Sequence, residues 1–392
     1  GDKAFKWENE FEDVMKNGGF DVVIGNPPYG AELSKEEQDY LNKRYDIGST
    51  DTAILFIKKA IELLKENGRL GFIVPKALCF ASNYKKVRSF IWDDIEAIVD
   101  CGKVWKEVKL EQVIFILSKG KKLKQYDSYI LKNGKIEYIG KINKNDAKEF
   151  SFFLNGVSSG DVELAKKIKS ESIMLNDIST NQRGAILQKY VSDDGELQVI
   201  GGAQVQKYGI IGIKGKINKS KIDSDQAYIN DNSILVQRIV AHIENPIDHI
   251  QITCAIPTDR KQIIVDTINQ ITINKGVSQE FVWCLLNSKL INWYAYRFIF
   301  GKAIRTMQFD NPTSSRLPAQ KINKDTENTF VGYAKEIFVL NKKTENSARN
   351  SDNWKNLNKQ INELLNKIDQ EIYKLYGLTK EEIKIIEDSL GD

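Results

Sequence analysis

The chain has 392 residues and a formal net charge of +4, from 57 basic and 53 acidic side chains; 41% of residues are hydrophobic and 28% charged. This apolar share supports a sizeable core and excludes a wholly disordered chain, and the length suits two domains. The charge permits nucleic-acid binding without arguing for it, and the two histidines, His242 and His249, exclude chemistry that needs several. No run is long and apolar enough to span a bilayer, and Cys79, Cys101, Cys254 and Cys284 have neither CxxC nor zinc spacing. A reduced, cytoplasmic chain without a structural metal is expected.

The first third alternates strand and helix. Residues 20–25 form a short apolar run that stops at Asn26-Pro27-Pro28, as a strand ending in a sharp loop would. Residues 51–66 carry Ala53, Ile54, Ile57, Ala60, Ile61 and Leu64 on one helical face. Ser49 or Thr50 can cap that helix, and Asn67-Gly68 can stop it. Strands are predicted over 69–74, 95–99 and 113–117, with a helix over 84–92. Strand and helix in alternation imply parallel strands with crossover helices, a doubly wound α/β layout.

After about Lys122 the texture changes. Short β-branched runs broken by Gly, Asn and Asp predict a β-rich second domain. An aromatic-rich helix is predicted over 279–300. The last fifty residues read as helical, with a helix over 354–376 stopped by Gly377 and a short one from Thr379. Residues 341–352, rich in Lys, Asn, Thr and Ser, are the best candidate for a mobile segment. The expected boundaries are 1–122, 123–340 and 341–392.

The strongest chemical signal is Asn26-Pro27-Pro28-Tyr29, at the carboxyl end of a core strand, where doubly wound folds bind ligands. An exocyclic amine on a base or amide is a poor nucleophile, because its lone pair is delocalised. The Asn26 side-chain oxygen and the Pro27 carbonyl could accept both of its N–H bonds. Proline has no N–H, so the loop is rich in acceptors. Two acceptors so placed would push the nitrogen toward tetrahedral geometry and aim its lone pair at an electrophilic methyl. Tyr29 would offer a flat face for stacking. A proline-rich turn with a packed tyrosine is the bland alternative; the flanking strands and helix lower its weight.

Residues 20–29 resemble motif IV of amino-methyltransferases that use S-adenosylmethionine. Residues 51–56 and 68–75 are similar to the segments that follow it in adenine-N6 DNA methyltransferases of type II restriction-modification systems, the Eco57I- and TaqI-like group. Looser matches at 198–208, 234–240, 285–292 and 372–379 resemble that group's target-recognition region. The resemblance implies a partial methyltransferase sheet over 1–122, a target-recognition domain over 123–340, and C-terminal helices. It implies that Asn26 and Pro27 hold the N6 amine of a flipped adenine in double-stranded DNA and that Tyr29 stacks on the base. Asn26 would also border the S-adenosylmethionine site, no metal is needed for methylation, and Phe115 is the candidate for the second stacking face. The group's Gly-x-Gly loop, which should precede motif IV, is absent, so the chain reads as the C-terminal part of a longer protein, a split gene product or a degraded enzyme. By itself it is expected to be inactive and to bind the cofactor weakly; an upstream region or separate subunit would complete it.

Candidate DNA contacts are Arg183, Gln188, Lys189, Gln204, Lys207, Tyr208 and Arg238, polar residues near turns of the β-rich region. Lys302, Arg305 and Arg316 suit phosphate contacts better. For each of these a merely solvated side chain is the competing reading. Two other functions stay open: a non-catalytic DNA-recognition module working with a partner, and an N-methyltransferase acting on RNA or protein glutamine.

Overall fold

The computed structural model describes residues 5–46, 51–104, 110–305 and 307–390. The chain divides into two compact units, Gly1–Glu163 with Phe300–Ala303, and Leu164–Ile299 with Ile304–Asp392.

In the first unit, helices α1 (Trp7–Glu10) and α2 (Glu12–Lys16) lead into strand β1 (Phe20–Gly25). Helices α3 (Lys35–Tyr45) and α4 (Thr52–Leu63) precede strand β2 (Leu64–Pro75), and helix α5 (Lys85–Ile91) precedes strand β3 (Ile95–Gly102). Strands β4 (Gln112–Ser118), β5 (Gln125–Lys132) and β6 (Lys135–Asn143) complete one six-stranded sheet of order β1-β2-β4-β3-β5-β6. The sheet is mixed. β1 and β2 are parallel, as are β3 and β5, whereas β4 runs antiparallel to both its neighbours. This departs from the expected all-parallel arrangement. Residues 103–111 are too few for the crossover of about a dozen residues that a parallel β3–β4 pair would require.

Two further expectations change. The sheet continues past Lys122, since β5 pairs with β3 and β6 with β5. Helix α4 ends at Leu63, and Asn67, with φ 63°, lies within β2 instead of closing the helix. There the ladder to β1 skips from Phe20–Leu64 to Val22–Arg69. Gly68 is required at that irregularity, because a Cβ would come within 2.9 Å of the Lys65 carbonyl oxygen. The expected caps Ser49 and Thr50 lie outside the described residues; Asp51 caps α4, its carboxylate accepting the Ala53 N–H at 2.9 Å. Leu70, Val74, Ile95, Val113 and Leu117 fill the sheet core, and Ala53, Ile57 and Ala60 of α4 are buried.

The second unit is built on a four-stranded antiparallel sheet, Cys254–Ala255, Ser233–Gln237, Ile268–Ile273 and Ser179–Arg183 in that spatial order. A three-stranded sheet joins Gly215–Ile217, Leu197–Ile200 and Ile263–Ile264. Ile200, Val205, Leu235, Ala255, Ile264 and Ile268 form one packed cluster drawn from both sheets. The aromatic segment is two helices, Gln279–Asn287 and Lys289–Phe298. Ser288, with extended backbone, ends one and caps the next through the Ile291 N–H. Its Trp283, Trp293, Tyr296 and Phe298 are core. Helices Lys324–Glu345, Asp352–Leu375 and Lys380–Asp388 follow. Position 341, expected to open a separate segment, falls inside the first of them. Gly377, φ 58°, follows the second helix, and Thr379 caps the third, both as predicted.

Candidate functional site

The loop after β1 is held at several points. Tyr29 is half-buried, and its hydroxyl lies 2.8 Å from Asn26 Oδ1 and 3.1 Å from the Ile73 carbonyl of β2, its single proton shared between the two acceptors. Thr52, at the start of α4, donates its hydroxyl to the Pro28 carbonyl at 2.8 Å and accepts the Ala31 N–H at 3.4 Å. Asp51 accepts the Tyr84 hydroxyl at 2.8 Å as well as capping α4. Burial, with a smaller push from nearby Cys101, raises the Tyr29 pKa, so the phenol remains a donor at neutral pH. Pro27 is buried, while Asn26 is exposed. Among the described residues the Pro27 carbonyl accepts no hydrogen bond. Asn26 Oδ1 takes only the Tyr29 proton, and a carbonyl oxygen has a second lone pair. Asn26 Oδ1 and the Pro27 carbonyl, neighbours in sequence, therefore both keep acceptor capacity at the strand end. The motif was readable in the sequence, but the anchoring by Thr52 and the Ile73 carbonyl was not, because it depends on β1–β2 register.

Phe115 is not at this face. It is 2% exposed in mid-β4, paired with Phe72 and packed edge-on against it at 6.4 Å. Its burial fits the alternative reading of Phe115 as a plain core residue over that of a stacking partner.

Beside the loop lies a buried ion cluster that sequence reading missed. Lys76, 3% exposed, extends Nζ to Asp100 at 2.8 Å, Glu111 at 3.4 Å and the Lys302 carbonyl at 2.8 Å. Burial lowers the Lys76 pKa, but the two carboxylates outweigh it and the net shift is upward. Lys302, expected from sequence to suit a phosphate contact, donates its own Nζ to the Gly156 carbonyl at 3.1 Å. Its backbone is left-handed, φ 56°, as is that of Gly301.

In the second unit, two of the sequence candidates meet on Asp266, and the charge of a third, Arg238, acts on it. Arg183 donates through Nε to its carbonyl at 3.1 Å and pairs with its carboxylate at 2.5 Å. Gln188 donates to the same carboxylate at 2.8 Å. The Arg238 backbone N–H bonds the adjacent Thr267 carbonyl, and its guanidinium donates to Gln308 at 2.8 Å. Burial alone would raise the Asp266 pKa; hydrogen bonds from Gln188 and Arg183 and the charges of Arg183 and Arg238 bring it below the ordinary value. Asp266 and Gln308 carry no local signature and meet these residues only through long-range pairing. The other candidates lie apart. Lys189 sits over the Tyr190 ring at 4.7 Å, and Gln204 accepts the Gly201 N–H of its own turn. Lys207 and Tyr208 lie against Trp283, whose indole N–H donates to the Lys207 carbonyl at 2.9 Å. Arg305 is exposed, and Arg316 donates to the Pro312 carbonyl.

No helix among the described residues is long and apolar enough to cross a membrane. None of their His, Cys, Asp or Glu side chains form a group able to hold a metal.

Comparison with known proteins gives these features a context. Residues 1–105 match the model of the Eco57I restriction-modification methylase family. RM.MjaORFECS2P of Methanocaldococcus jannaschii is 42% identical over 86 residues, 22% of this chain and 7% of that protein. Type II methyltransferase M.BstVI of Geobacillus stearothermophilus is 32% identical over 155 residues, 37% of this chain and 26% of the relative. Among solved structures, the Type IIL restriction-modification enzyme MmeI, determined in complex with DNA, shares the fold. It aligns over 99% of this chain and 58% of its own, with a TM-score of 0.59 and 13% identity. The chain thus matches only part of the length of each of these proteins. The segment that holds Asn26–Tyr29, residues 1–105, is thus similar to the Eco57I restriction-modification methylase family.

Proposed function

We propose that the protein containing this chain is a site-specific DNA methyltransferase of a restriction-modification system, acting on the N6 amine of a flipped adenine. The observation that carries this reading is the pair of acceptors with spare lone pairs, Asn26 Oδ1 and the Pro27 carbonyl, in a loop pinned by Tyr29 and Thr52. Accepting both N–H bonds of an amine there localises its lone pair and leaves it nucleophilic. The proton is lost after methylation, when the nitrogen has become acidic, so no strong base is required. The Tyr29 ring stacks on the extruded base.

The methyl donor in this reading is S-adenosylmethionine. The described residues of the first unit do not make up a site for it. Asp51, the carboxylate tied to the loop region, is engaged by the α4 cap and by Tyr84, and no Gly-x-Gly loop joins any of the strands. We therefore assign to this chain the target-base face and not the donor site.

In the second unit we assign DNA contact to Arg183, Gln188 and Arg238. MmeI, whose fold the chain shares, was solved with DNA, and the cluster around Asp266 holds these donors in a fixed array. The remaining guanidinium N–H groups suit guanine edges or phosphates.

The test is methylation of duplex DNA by the full-length protein, with modified nucleosides identified by mass spectrometry. N6-methyladenine is expected, and Asn26→Ala is expected to lower the rate on the order of a hundredfold or more, as loss of one preorganised polar group does, without weakening duplex binding. Wild-type turnover by Asn26→Ala would remove the assignment of the loop. For the second unit, Arg183→Ala is expected to weaken duplex binding by roughly 1–3 kcal/mol if it reads a base, with relaxed sequence preference in a competition gel shift; unchanged binding would exclude Arg183 from the interface.

A further inference from the structure

The second unit presents an apolar side chain where the reading above places only polar DNA contacts. Ile186 is 73% exposed, although Ala185 and Leu187 on either side of it are buried. The Ala185 carbonyl accepts the Leu187 N–H at 2.9 Å, which closes a three-residue turn with Ile186 at its apex. The same carbonyl accepts the Asp266 N–H at 2.9 Å, and the Gly184 N–H donates to the Ile268 carbonyl at 2.9 Å. Gly184 lies so close to the neighbouring chain that a Cβ there would come within 2.4 Å of the Val265 carbonyl oxygen. The turn therefore has a fixed base, and its backbone holds the isoleucine out in solvent.

Single exposed apolar residues are common and call for no explanation. The surroundings set Ile186 apart. Arg183 and Gln188, close by on either side of it in the chain, both bond the Asp266 carboxylate. The pattern recurs at Ile239, which is 53% exposed and follows Arg238, whose N–H bonds the Thr267 carbonyl at 3.0 Å. Both segments thus hang on residues 266–268, and each sets an isoleucine beside a donor assigned above to DNA. Apolar carbon gains nothing against a phosphate. On the major-groove edge of a duplex the apolar group on offer is the thymine C5 methyl. Donors that reach base edges from both sides of Ile186 would hold it at that depth.

We propose that Ile186 packs against the C5 methyl of a thymine in the recognised sequence, so that this turn reads thymine at one position. The inference rests on the assignment of Arg183 and Gln188 to DNA, and adds a base-specific apolar contact to their polar ones.

The test is binding of duplex DNA by the full-length protein. Its preferred sequence is selected from a randomised duplex library. Each thymine of that sequence is then replaced singly by deoxyuridine, which keeps the pairing and lacks the methyl. At one thymine the replacement is expected to weaken wild-type binding about fourfold, the worth of one buried methyl-sized group. Ile186→Ala should bind the thymine duplex about fourfold more weakly, and should no longer distinguish thymine from uracil at that position. Its thermal midpoint should match wild type, because the side chain is exposed. Arg183→Ala should weaken binding of both duplexes. Undiminished wild-type affinity for every uracil duplex would overturn the proposal. So would an Ile186→Ala protein that still discriminates the methyl, as it would if the side chain wedged between bases. With Arg183→Ala weakened, either result removes the thymine contact alone. Full-strength binding by Arg183→Ala, or a library that yields no preferred sequence, removes the assignment of this unit's DNA contacts and the thymine contact with it.

Discussion

At the scale of single residues, Tyr29 has two separable contributions. Its ring is suited to stacking, while its hydroxyl holds Asn26 Oδ1 and the Ile73 carbonyl. Tyr29→Phe keeps the first and deletes the second. A neutral hydrogen bond is worth about 0.5–1.5 kcal/mol, so Tyr29→Phe is expected to slow methyl transfer by up to roughly tenfold. Tyr29→Ala also forfeits stacking, about 1–3 kcal/mol per base, and is expected to be slower still. Single-turnover rates of the two variants measure the difference; equal rates would mean that the ring does not stack. This division could not be read from the sequence. Asn-Pro-Pro-Tyr announces acceptors and an aromatic, but the hydroxyl's partner on β2 is set by strand register. The two readings of Phe115 have the same origin. Alternation along 113–117 says which residues share a face, not whether that face is covered.

At the scale of elements, Lys76 ties together the ends of several strands. It follows β2, Asp100 lies near the end of β3, and Glu111 precedes β4. Removing one partner of a buried ion pair costs about 3–5 kcal/mol, because a desolvated charge remains. Lys76→Met is therefore expected to lower the urea midpoint by an amount equivalent to that loss, with the slope unchanged. Adding Asp100→Asn should recover part of it, and a midpoint within error of wild type would refute the coupling. Most elements were legible in the sequence: β1, the strand at 113–117, the helix stopped by Gly377 and the one capped by Thr379 all follow from apolar period and punctuation. Strand direction was not. The rule that alternation means parallel strands fails where β3 and β4 are joined by a connection too short for a crossover. Asn67-Gly68 has the chemistry of a helix stop, but the same left-handed backbone serves an irregular ladder.

At the scale of the whole molecule, Asp369 makes stability depend on pH. Burial raises its pKa from 3.8 to about 6, against the opposing Lys289 amide and ammonium and the Lys207 charge, with Glu387 adding to the rise. A carboxyl whose folded-state pKa lies above its unfolded value binds more protons when native. Its contribution is therefore greatest in acid and declines as pH climbs from about 4 to 6, by about 3 kcal/mol in all. Asp369→Asn should flatten that part of the pH–stability profile, measured by chemical denaturation; an identical profile would show that the carboxyl is not so perturbed. Another long-range feature has a consequence for how such a chain can diversify. The backbone crosses between the two units at 163/164, 299/300 and 303/304, and the short guest segment Phe300–Ala303 supplies the carbonyl that completes the coordination of Lys76. Recombination at 163 that exchanged everything downstream would carry this segment away with it. A transplanted second unit must therefore arrive with its own left-handed Gly-Lys pair, or leave an ammonium short of an acceptor in the recipient's first unit.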